Sequence, residues 1–122
     1  MTILNMSYNT LKTNSMKANF NIPLVGINGK TVKFLEEGQE YDKEKHSSYP
    51  DKMLGTELAY ILGAKKEGDS RKIGGWHKVL LTGKALELDK SDLRTLSDMI
   101  EEDKDIFIFF KSQILDVLDN AK

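Results

Sequence analysis

Phe20-Asn21-Ile22-Pro23-Leu24-Val25-Gly26-Ile27-Asn28-Gly29-Lys30-Thr31-Val32-Lys33-Phe34 carries the strongest local signal in the chain. Phe20, Ile22 and Leu24, followed by Val25-Gly26-Ile27, make an extended apolar run. Lys30 to Phe34 makes a second. An Asn-Gly pair between two such runs predicts a β-hairpin, because both residues tolerate positive φ. In the second strand Val32 and Phe34 share one face, and Thr31 and Lys33 share the other. Pro23 has no N–H to give to a ladder, so the first strand is an edge or begins near that residue.

Downstream the apolar period changes from two to about 3.6. Met53, Leu54, Leu58, Ile61 and Leu62 predict a first helix over 52–63, with Gly63 as its C-terminal cap. Asp69 or Ser70 caps a second helix that runs to about Thr82, with Ile73, Trp76, Val79 and Leu80 as its stripe and Gly83 as its stop. Gly74-Gly75 lies inside it, either weakening the helix or marking a close approach of another backbone. Ala85-Leu86-Glu87-Leu88 alternates and predicts a short strand that joins the hairpin. Asp89 caps a third helix with Leu93, Leu96, Met99 and Ile100 as its stripe. After the acidic break Glu101–Asp105, a fourth helix is expected from Ile106 to Leu118. Its start is apolar on most sides, so it should be the most buried element. The expected fold is therefore α+β, a small antiparallel sheet of the hairpin plus one short strand packed against about four helices.

Upstream, residues 1–16 are rich in Asn, Thr and Ser. They read as a flexible N-terminal arm, since termini are poorly ordered unless tied down. Such an arm could also dock Ile3, Leu4, Met6, Tyr8 and Leu11 onto a partner. Met16-Lys17 reads as an alternative start. The remainder, 17–122, is expected to be a single domain with a mobile connector over 36–51.

Composition narrows the function classes. The chain has 122 residues, 39% hydrophobic and 30% charged, which fits one globular domain. Eighteen basic residues against nineteen acidic ones leave a formal net charge of −1. That balance argues against a protein built to coat nucleic-acid phosphates. With no cysteine, disulfides, thiolate zinc sites and cysteine nucleophiles are all excluded. No run of 18 apolar residues suits a membrane span. The N-terminus lacks the pattern of a signal peptide. The expected location is cytoplasmic.

Little in the sequence gathers chemistry. His46 and His77 are the two histidines, too few to build a site between them. No metal is expected, since a zinc or iron site needs three or four converging ligands. Asp89-Lys90-Ser91-Asp92 starts like a calcium loop, but Arg94 stands where that loop needs glycine, so a helix cap is the reading taken. No glycine-framed serine appears. The paired carboxylates Glu36-Glu37 and Glu101-Glu102 lie in polar runs that offer no means of shifting their pKa. No catalytic residue, cofactor or enzymatic activity is expected.

Two segments remain as candidate sites. The first runs from Gly68 to Lys78. Helix N-termini attract phosphate; Arg71, Lys72, His77 and Lys78 would add charge, and Trp76 could stack on a base. Trp76 also lies on the stripe with Ile73 and Leu80, which favours a place in the core. The second is the start of the last helix, where Phe107, Phe109 and Phe110, with Ile106 and Ile108, exceed what one buried stripe needs. Either the helix packs on both sides, or one face is left for a partner.

This layout resembles a loose group of small bacteriophage and prophage proteins for which no activity is established. The likeness covers about residues 17–118. It rests on the hairpin Phe20–Lys30, the leucine-rich Leu54–Leu62, Trp76 through Gly83 to Leu86-Glu87-Leu88-Asp89, and the closing Lys111–Leu118. It implies a mobile-element origin and nothing about activity. The leading expectation is a non-catalytic interaction protein that binds or inhibits a bacterial host protein or forms a homo-oligomer. The alternatives are a module binding a nucleotide signal and a virion or tail assembly factor.

Overall fold

The computed structural model describes residues 15–33 and 50–122. The expectations for the arm over 1–14, for Phe34 and for the connector over 36–49 lie outside these residues. The described chain is α+β. In order it forms β1 (Met16–Ala18), α1 (Leu54–Gly63), α2 (Ser70–Leu81), β2 (Leu86–Leu88), α3 (Lys90–Glu102) and α4 (Ile108–Asp119).

The short Leu-Glu-Leu strand is present, but its partner differs from the expectation. β2 pairs antiparallel with β1, in the register Met16 with Leu88, Lys17 with Glu87 and Ala18 with Leu86. Met16 therefore belongs to the domain and not to an arm. The pairing suits the period of two: Ala18, Leu86 and Leu88 face inward and are buried, while Lys17 and Glu87 sit opposite each other on the outer face. The free edge of β1 is closed by the last residue, since the Lys17 N–H donates to the Lys122 carbonyl at 2.8 Å.

The Asn-Gly turn forms, in a different register from the one the pair suggests. The Gly29 N–H donates to the Gly26 carbonyl, and the Gly26 N–H donates to the Lys30 carbonyl. Asn28 keeps a negative φ and accepts the Lys30 N–H on Oδ1 at 3.0 Å, so only Gly29, at φ 77°, uses the left-handed region. The hairpin does not join β2. It closes on residues 51–53 through single bridges, Pro23 with Met53 and Lys33 with Asp51. Leu24, Val32 and Lys52 form a ring of three backbone bonds: Leu24 N–H to Lys52 O, Lys52 N–H to Val32 O and Val32 N–H to Leu24 O, at 2.7–2.9 Å. Pro23 is tolerated because its flanking bonds are donated by Leu24 and Leu54, not by itself. Asp51, assigned to a mobile connector by the sequence, is tied instead to Lys33 at 2.7 Å.

The helices follow their stripes except at Val79. The sequence places Val79 on the stripe of α2, but it is exposed, because it lies about 100° around the helix from Leu80 and beyond the edge of the buried face. Asp89 and Asp69 each accept the N–H three residues on, from Asp92 and Lys72, and so cap α3 and α2. Gly83, at φ 77°, closes α2. Among the described residues no foreign backbone approaches Gly74 or Gly75, and nothing outside the helix's own backbone would lie within 4 Å of a Cβ on either. Gly63 does not cap α1. It is the last helical residue, and a Cβ there would lie 2.8 Å from His77 Cε1. The glycine admits the His77 ring, whose Nδ1 lies 2.6 Å from the Ala59 carbonyl oxygen.

One core joins these elements, with Phe20, Leu54, Leu58, Leu96, Ile100 and Ile114 among its fully buried side chains. The most buried helix is α1, which hides Leu54, Gly55, Leu58, Ala59 and Leu62. The expectation that the last helix is the most buried is corrected: α4 buries a single stripe, Phe110, Ile114 and Leu118. Gln113 ties α4 to the hairpin. Its Oε1 accepts the Val25 N–H at 2.8 Å and its Nε2 donates to the Val25 carbonyl at 2.7 Å, as a neighbouring strand would.

Candidate functional site

The Gly68–Lys78 segment does not assemble a ligand cradle. The donor end of α2 already holds an anion, because the Asp69 carboxylate accepts the Lys72 N–H at 3.1 Å. Trp76 is 7% exposed and stands in the core with Ile73 and Leu80, so its ring offers no open face. Lys72 turns to α3, where its Nζ meets Asp92 Oδ1 at 2.7 Å; the bond and the charge of Asp92 raise the ammonium pKa. His77 turns to α1. Arg71 and Lys78 remain exposed on the outward side of α2. The five candidate residues thus point in four directions. A cavity of about 300 Å³ beside α2 is lined by His77, Gly63, Lys65, Lys66 and Gly74, and of the five it includes His77 alone.

The second segment makes a surface. The run Glu101–Asp105 has few apolar anchors, and α3 ends at Glu102 with Asp103 extended at ψ 114°. Asp103 Oδ1 accepts the Asp105 N–H at 2.8 Å and turns the chain. α4 then begins at Ile108, two residues later than expected, with Phe107 in an extended conformation (ψ 144°) as its N-cap. Phe107 would have shared the stripe of Phe110, Ile114 and Leu118 had the helix begun at Ile106. The late start swings it out, and Phe107 is 73% and Ile108 84% exposed. Phe107 stacks on half-buried Phe109, with ring centroids 6.1 Å apart and planes 13° from parallel. Phe110 is in the core. Of the three phenylalanines proposed as an interface, one is fully presented, one supports it from behind and one is structural.

Beside this pair lies a groove of about 440 Å³ between α1 and the α3–α4 elbow, floored by Leu24, Ile61, Ala64, Ile106 and Phe110. Its rim is ionic. Lys65 Nζ meets Asp103 Oδ2 at 2.5 Å, and Lys111 Nζ donates to the carbonyls of Glu101 and Asp103. The Lys65 hydrogen bond holds the Asp103 carboxyl below the usual carboxylate range, outweighing the opposing effect of burial. Sequence reasoning included Ile108 in the apolar excess without singling it out as the most exposed residue, and missed Lys65 and Asp103 as its frame. The available signal was the acidic run itself, which delays the helix and strands the two apolar residues that follow it.

Among the described residues no three histidine, aspartate or glutamate side chains converge as a metal site. No described helix is long and apolar enough to cross a membrane. Comparison with known proteins finds no matching family model, no matching curated protein and no matching solved structure.

Proposed function

We propose that this chain is a non-catalytic interaction protein that holds another protein surface at the α3–α4 elbow. The carrying observation is the exposed pair Phe107 and Ile108 beside an apolar groove. Water-facing apolar area of this kind, contiguous and rimmed by charges, marks protein contacts. A stacked aromatic pair suits an anchor, since large rigid rings dominate binding energy at interfaces. The partner is a bacterial host protein or another copy of the chain, met in the cytoplasm, and the resemblance to phage and prophage proteins supplies the mobile-element origin. A nucleotide module draws no support from α2, where Asp69 already serves the helix N-terminus and Trp76 is in the core.

The test is site-specific photo-cross-linking in bacterial cytoplasm. A photoreactive side chain at position 107 should give discrete protein adducts, whereas one at Thr95, exposed and polar on α3, should not. Equal labelling at both positions, or none at either, would overturn the reading.

A further inference from the structure

Two faces of the molecule carry opposite charge, and each also exposes apolar side chains. The first is the outward side of α2, opposite its buried stripe of Ile73, Trp76 and Leu80. It presents Arg71 and Lys78 along its centre, with Val79, 36% exposed, on one flank and Leu81, 50% exposed, on the other. Lys66 and Lys84 flank it, and α2 itself, Ser70–Leu81, contains no acidic residue. The second is the elbow, where Asp98, Glu101, Glu102, Asp103 and Asp105 stand against Lys104 beside Phe107 and Ile108.

Among the described residues the elbow's acidic side chains outnumber its basic ones. Lys65 and Lys111 are engaged with Asp103 and with backbone carbonyls. Among the described residues, no ion pair reaches Glu101, Glu102 or Asp105. The last turn of α3 has no basic residue of its own. Lys111 Nζ sits at this negative helix end on the Glu101 and Asp103 carbonyls, while the Glu101 and Glu102 carboxylates stand where a further cation would be favoured. Among the described residues α2 makes one ion pair, Lys72 with Asp92 at the opposite end of α3, and none with the elbow carboxylates.

We infer that the elbow docks the outward face of α2 on a second copy of this chain, head to tail. This rests on the reading of the elbow as a docking surface and names its occupant. Arg71 and Lys78 of one copy meet Glu101, Glu102 and Asp105 of the next, while Val79 and Leu81 cover Phe107 and Ile108. The overall charge of −1 leaves little net repulsion between copies. The two faces differ, so the contact is heterologous and continues into a ring or a filament instead of closing as a dimer.

Light scattering on the full chain at rising concentration tests this. At about 50 mM salt the mean mass should climb beyond two copies. At 1 M salt, where the screening length falls to about 3 Å, it should return to one copy. Arg71→Glu with Lys78→Glu makes both faces acidic, and Glu101→Lys with Glu102→Lys makes both basic. Each variant alone should weaken association at least about tenfold. Mixed in equal amounts they should assemble again, because each acidic face then finds a basic one. Circular dichroism should show both variants folded. Mass that survives either charge reversal, or a mixture that stays dissociated, would overturn the head-to-tail contact. A chain that stays single under every condition while position 107 still cross-links to foreign proteins would overturn the second copy and keep the docking surface. Single copies with no cross-link at all would remove both.

Discussion

The α1–α2 pair and the α3–α4 pair are built from similar material and put it to opposite uses. In the first, Leu58, Ala59 and Leu62 meet Ile73, Trp76 and Leu80, and His77 lies over Gly63 with Nδ1 2.6 Å from the Ala59 carbonyl. Most of the apolar area is inside and the polar ring is bonded; Val79 and Leu81 are exposed on the far side of α2, but less so than Phe107 and Ile108. In the second, Leu96, Ile100, Phe110 and Ile114 are equally buried, yet Phe107 and Ile108 face water at the junction. The difference lies in the connections. Gly63 to Asp69 lets α2 fold back closely on α1, whereas the acidic run ends α3 at Glu102 and delays the start of α4 to Ile108. An apolar residue becomes buried or exposed according to where a helix begins, not according to its own hydrophobicity.

The largest expected effect sharpens the first half of that contrast. Leu58→Ala should lower the unfolding free energy by about 2–5 kcal/mol in urea denaturation, since the site is fully buried. A loss below about 1 kcal/mol would break the comparison. Gly63→Ala comes next, at about 1–3 kcal/mol, because the added Cβ must displace the imidazole. In a double-mutant cycle most of that loss should vanish on a His77→Ala background. Gln113→Ala should cost about 1–2 kcal/mol, as Val25 loses a partner for both its N–H and its carbonyl.

Smaller still is the effect of acid at the elbow. The Asp103 carboxyl has a lowered pKa in the fold, so its contribution is complete above the ordinary aspartate value of about 4 and is lost as pH falls through the lowered value. Stability measured from pH 6 down to 2 should therefore decline less steeply in Asp103→Asn than in the unchanged chain. Least of all, Phe107→Ser should change stability by under about 0.5 kcal/mol, because an exposed ring contributes little to the core. The same substitution should weaken association at the elbow, and that separation of stability from binding is the most direct check that the two helix pairs serve different ends.

The helices were legible because each carries its own evidence: a stripe at 3.6 spacing, Asp69 and Asp89 as caps, and Gly83 as a stop. Strand pairing was less so. Met16-Lys17-Ala18 has no β-branched residue and no turn beside it, and its partner lies some seventy residues away, so nothing local announces β1. Glycine meant different things at different places. Gly29 supplies a positive φ, as its Asn-Gly context suggests, while Gly63 is small for the sake of a histidine from another helix. Trp76, Lys72 and His77 are neighbours in sequence and diverge in space because they occupy different faces of α2.

By itself the sequence determined the class of fold, the four described helices and most of their buried positions, because periodicity, capping and turn chemistry act within a few residues. It also determined the excess of apolar side chains at 106–110. Only the tertiary structure decided which strand β2 pairs with and which of those side chains are covered. Both depend on backbone hydrogen bonds and contacts between segments far apart in the chain, whose energies no local pattern contains.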